Sequence, residues 1–126
     1  VAYQAALNRT DADLEEMERV IHDDSLPLND RDMILYRLIA RASRNIPFLI
    51  VLNFFNNSGL VAQLLTYYFS DRSNIRRTLR FYDEIYGAIR GRETEKARKI
   101  MHDLLVFAER KTIQYLTEHQ ERGNKQ

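Results

Sequence analysis

FYDEIYGAIRGRETEKARKIMHDLL, residues 81–105, reads as two helices meeting at a short joint. Tyr82, Tyr86 and Ile89 continue a stripe begun by Ile75 and Leu79, at the three-and-four spacing of one helical face. Gly91 ends that helix, which spans about Ser73 to Arg90. A second starts at Glu93 or Thr94 and runs to about Glu121, with Ala97, Ile100, Met101, Leu104, Phe107, Ala108 and Tyr115 recurring at helical spacing. So short a joint folds neighbouring helices back antiparallel.

The same pattern extends toward the N-terminus. Ala2–Asn8 is a helical stub. Thr10 suits an N-cap, Asp11 and Asp13 suit the first turn, and Leu14, Met17, Val20 and Ile21 form an apolar face. His22–Pro27 breaks this helix, and a third begins near Asn29 or Asp30, with Asn45 expected as a left-handed C-cap. Pro47 suits the first turn of a fourth helix, reaching Phe69, with Gly59 as a kink. That helix is apolar nearly all round, which predicts the central, most buried position. The polar joint Ser70–Asn74 follows, and the tail Arg122–Gln126 is expected to fray. The expectation is an all-α antiparallel bundle of about six helices, one domain over residues 1–126.

Composition narrows the function. The chain has 126 residues, 44% hydrophobic and 29% charged, as expected of one packed domain. Four Gly and two Pro favour a few long elements. The absence of Cys removes disulfides and thiolate metal sites. The longest apolar run, Ile46 to Phe55, is too short to span a bilayer, so no membrane partner and a cytoplasmic location are expected. A net charge of +1 is weak for a nucleic-acid binder.

Catalytic motifs are missing. His22, His102 and His119 show no metal-binding spacing, and no nucleophile elbow or phosphate loop occurs, so neither an enzyme nor a bound cofactor is expected. Polar residues inside the fourth helix, Asn53, Asn56, Asn57, Ser58 and Gln63, need partners: another helix, a second subunit, water or a ligand. Tyr36, Tyr67, Tyr68, Tyr82 and Tyr86 fall on three consecutive helices, either as core or as the wall of a pocket. Arg72, Arg76 and Arg80 stack on one helix face beside Arg77, as a solvated face or an anion site.

DMILYRLIARASRN, residues 32–45, resembles the opening signature of the FCD effector domains of bacterial GntR-type transcription regulators. The stretch 81–105 is similar to the family's later signature, and LNRTDADLEEME, residues 7–18, to its usual lead-in. The resemblance covers nearly the whole chain. It implies a ligand-sensing, dimeric bundle that controls an N-terminal winged helix-turn-helix. That reader is absent here, so DNA contact is expected only through it and the chain is expected to be a fragment.

In the family's metal-binding branch an Asp and three His hold a divalent ion. The Asp falls on Asp32, and the His positions fall on Tyr36, Tyr82 and Leu104, so metal-assisted sensing is not expected. The aromatic replacements resemble the FadR-like branch, which binds long-chain acyl-CoA inside the bundle. YYFSDRSNIRRTLRFYDEI, residues 67–85, shares its arrangement, and Tyr68 falls on a ligand-contacting Tyr of that branch. That branch's Gly, Glu, Ser and Trp on the last helix do not recur, and Leu105, Phe107, Ala108 and Thr112 stand there instead. The resemblance thus points to a small acyl or carboxylate effector, an acyl-CoA or a fatty acid. Tyr36, Tyr68, Tyr82 and Leu104 would form the wall, Asp32 and Asn53 the polar anchors, and Arg72, Arg76 and Arg80 the meeting point for a phosphate or carboxylate. The alternatives are a ligand-free dimerisation module and a metal-dependent carboxylate sensor.

Overall fold

A computed structural model describes residues 1–124, with side chains described through Gln120. Among these residues there are seven helices and no strand: α1 (Ala2–Asn8), α2 (Asp11–Ile21), α3 (Leu28–Ala42), α4 (Ile46–Asn56), α5 (Gly59–Tyr68), α6 (Arg72–Arg90) and α7 (Thr94–Asn124). Of the tail expected to fray, Arg122–Asn124 continue α7, and residues 125–126 lie outside the described residues.

Local chemistry places the helix ends. The Thr10 hydroxyl accepts from the Asp13 amide at 3.2 Å, and the Asp13 carboxylate accepts from the Thr10 amide at 2.9 Å, a reciprocal capping box that starts α2. At the end of α3 the left-handed residue is Arg44 (φ 62°), not Asn45. Arg44 is held there by its ion pair to Asp13 at 3.1 Å, while the Asn45 side chain accepts from the Phe48 amide and caps α4 instead. Arg92 likewise takes the left-handed turn after α6 (φ 53°), while Gly91 keeps a negative φ.

Two arginines tie α1 to α6 reciprocally. Arg92 donates to the carbonyls of Leu7 and Arg9, and Arg9 donates to the carbonyls of Ile89 and Arg90. Each positive charge meets the carbonyl-rich end of the other helix, where the dipole favours cations. Ala2, Ala5 and Ala6 are buried, so the short α1 is an inner element packed against α3, α6 and α7.

The core lies between α1, α2, α3, α6 and α7, built on Leu35, Ile39, Tyr82, Ile85, Ile89 and Ala97. Its α6 face also takes in Asn74 and Thr78, whereas Leu79 of the expected stripe is exposed. The Asn74 amide nitrogen donates to the Tyr68 carbonyl at 2.9 Å, whereas its side-chain oxygen is buried without a hydrogen bond among the described residues.

The expected fourth helix is corrected on two counts. It is two helices, α4 and α5, meeting at 80°, with Ser58 capping the second through the Leu60 amide. Neither contains a buried residue, so this segment flanks the bundle and is not its centre. Apolar residues all round a helix report that it wants cover on every side, but not that the chain supplies it. No single helix among the described residues is long and apolar enough to cross a membrane.

Candidate functional site

Space remains beneath the bent pair α4 and α5. Two cavities share the wall residues Asp32, Tyr36 and Leu65. The larger, about 360 Å³, lies among α3, α4, α5 and α7, and Phe48, Leu52, Val61 and Met101 make it chiefly apolar. The smaller, about 90 Å³, is bounded by Tyr68, Thr78, Leu104 and Thr112. The larger is of the size that takes small organic ligands, roughly 300–1,000 Å³.

Asp32 is the chemical centre of this hollow. Its carboxylate accepts a 2.6 Å hydrogen bond from the hydroxyl of Tyr82, which is fully buried on α6. No cation pairs with Asp32 among the described residues. Burial raises its pKa to about 6, against the opposing pull of the Tyr82 hydroxyl. Asp32 keeps partial exposure, but it lines both cavities, so that surface faces the hollow. Tyr36, Tyr68 and Tyr82 are each pushed above the ordinary phenol range, chiefly by burial and also by the charge of Asp32.

Two polar atoms here are buried without a hydrogen bond of good geometry among the described residues: the Tyr68 hydroxyl and the Asn56 amide nitrogen. Thr78 stands close to the former without satisfying it. Such groups cost on the order of 1–3 kcal/mol each when unpaired, and both belong to the cavity walls.

The residues expected at the site separate into two sets and two strays. Asp32, Tyr36, Tyr68 and Leu104 line the hollow, with Tyr82 directly behind Asp32. Arg76 and Arg80 line a different feature, an open groove between α6 and α7. Asn53 is exposed and lines neither cavity, because Phe48, Leu52 and Asn56 form the inward row of α4. Arg72 is exposed and outside the groove. Asn56, Leu65 and Thr78 join the site from outside the expected set, and Asn56 alone carries a sequence signal, as an amide in an apolar helix.

The four positions that carry metal ligands in the family's metal-binding branch do converge. Here they supply one carboxylate, two phenols and an alkyl side chain, which do not fit a divalent ion. No three His, Cys, Asp or Glu side chains among the described residues are placed to hold one.

The profile of the FCD domain matches residues 1–107, most of the chain. No curated protein matches it.

Proposed function

The chain belongs to the FCD domain family, the effector-binding part of GntR-type transcription regulators, and from that premise we propose that its hollow receives an amphipathic effector with an acyl chain. FCD domains are regulatory and non-catalytic. The observation that supports this reading is an apolar hollow whose wall carries the unpaired donors of Tyr68 and Asn56 beside Asp32. The apolar part of the ligand fills the larger cavity, and its carbonyl or carboxyl oxygen accepts from Tyr68 or Asn56. A thioester or ester carbonyl suits the wall better than a free carboxylate, because an anion beside Asp32 must take up a proton to avoid like-charge repulsion. Occupancy would favour one packing of α4 and α5 over another and so reposition the DNA-reading part of the complete regulator.

Thermal denaturation with dodecanoate and with dodecanoyl-CoA tests this reading. A true ligand raises the melting temperature by mass action. Leu65 lies on both cavities, so Leu65→Trp should fold yet lose the response. If neither compound moves the melting temperature, the ligand-free dimerisation module is the better description.

FCD domains also dimerise, and we assign that contact here to α4. Residues 45–70 contain no charged side chain, and Ile46, Ile50, Val51, Phe54 and Phe55 are 48–74% exposed. A patch that meets its own copy about a two-fold axis needs no opposite charge. A helix lying on a membrane would carry Lys or Arg on its polar face, and α4 has none.

A further inference from the structure

On the other side of Leu104 from the hollow, α6 and α7 form an open groove of about 580 Å³. The helices run antiparallel, so Ser73, Arg76 and Arg77 lie beside Phe107 and Lys111 at one end, and Glu84 lies beside Asp103 at the other. The cationic end holds no ion pair within 4 Å among the described residues, although the Asp71 carboxylate lies near enough to Lys111 to be stabilised by it. With Arg80, four cations border the groove against the two carboxylates of Glu84 and Asp103, and the clustered excess of positive charge carries a repulsion that a counter-anion relieves.

One of these cations is also held in place. The Arg77 guanidinium lies 3.8 Å over the centre of the Phe107 ring, with the Lys111 ammonium 5.5 Å from the same ring. A ring beneath a guanidinium restrains it without occupying its N–H groups. Bidentate recognition of an oxyanion needs those groups free. A single carboxylate would satisfy one fork, whereas a phosphate brings about two charges and three acceptor oxygens, enough for several of these cations. A nucleic-acid strand is disfavoured, because its next phosphates would run toward Glu84 and Asp103.

We propose that this groove binds the phosphate of a small phosphorylated ligand, gripped by Arg77 on its Phe107 platform with Arg76, Arg80 and Lys111 around it. The site does not depend on the reading of the hollow. It does touch it: the Phe107 and Tyr68 rings meet edge to face at a centroid distance of 6.1 Å. The phosphate belongs either to a separate molecule or to the head of the ligand whose chain fills the hollow.

The test is a titration of the isotope-labelled chain with inorganic pyrophosphate at constant ionic strength, following the arginine side-chain Nε–H resonances. Saturable binding with the largest shift at Arg77 is expected. Arg77→Gln should weaken it at least about tenfold, the loss of a charge-assisted pair. Should that variant fold poorly, Arg77→Lys keeps the charge, lacks the fork and should weaken binding as well. Phe107→Leu alters no charge yet should weaken binding several-fold, because the platform is gone. Arg110→Gln, an exposed cation outside the groove, should leave it unchanged.

The proposal is overturned if binding does not saturate below about 10 mM, or if Arg77→Gln and Arg110→Gln lose affinity equally. Dodecyl phosphate separates the two sources. Tighter binding than pyrophosphate, with the excess abolished by Leu65→Trp, identifies the head of the hollow's own ligand, and no excess identifies a separate molecule. Failure of dodecanoate and methyl dodecanoate, neither of which carries a phosphate, to bind would remove the hollow reading and leave the pyrophosphate result standing.

Discussion

Replacing Asp32 with Asn should stabilise the protein at neutral pH and abolish one component of its pH dependence. Folding raises the Asp32 carboxyl from 3.8 to about 6. Below 3.8 both folded and unfolded chains hold the proton and the residue costs nothing. Between 3.8 and 6 the unfolded chain ionises while the folded one does not, so stability falls as pH rises. Above 6 both are ionised and the cost is complete. A shift of roughly two units at 1.36 kcal/mol per unit amounts to about 3 kcal/mol, an upper value because solvent entering the hollow would lessen it. The Asn side-chain oxygen still accepts from Tyr82, so that hydrogen bond survives.

Asp23 and Asp71 have lowered pKa values, chiefly from side-chain hydrogen bonds with Ser25 and Ser73, and contribute stability that is lost as pH falls. The wild-type curve therefore mixes opposite trends, and the difference between Asp32→Asn and wild type isolates Asp32. Urea unfolding followed by circular dichroism at pH 4.5, 5.5, 6.5 and 7.5 measures it. The advantage of the variant should grow with pH and level off above about 6.5. A difference that is flat across pH, or a variant less stable at pH 7.5, would refute the reasoning.

Tyr68→Phe removes an unpartnered hydroxyl, so it should leave stability unchanged or raise it by about 1 kcal/mol while weakening dodecanoyl-CoA binding, as calorimetry would read. Dodecanoate should bind more tightly as pH falls from 8 to 5.5, through the Asp32 transition, whereas a dodecanoyl ester should show little dependence; titrations at both pH values check this. Thr10→Ala breaks the α2 capping box and should cost about 1 kcal/mol in urea unfolding. Phe54→Asp puts charge on the exposed α4 face, so the dimer should give way to monomer in sedimentation with the fold unchanged.

Much of this protein follows from periodicity alone. The stretch 81–105 specifies a helix, a tight reversal and a second helix, because turn residues interrupt an apolar stripe whose spacing no strand can use. The Asp32, Tyr36, Tyr82 and Leu104 positions came from motif resemblance, and the fold brings all four together because their helices pack on one another. Hydropathy could not place α4, since it measures how much apolar surface a helix has and not what covers it. Nor could spacing choose between Asn53 and Asn56, or between Arg72 and Arg77. Steps of three and four name the residues that share a helix face, but which face turns inward is decided by the neighbouring helix. Here α6 turns its Thr78, Phe81 and Ile85 row inward and leaves Arg76, Arg77 and Arg80 exposed along the groove beside α7, and the bend after Asn56 leaves Phe48, Leu52 and Asn56 over the hollow. Periodicity is a property of one helix, whereas a cavity is made by several.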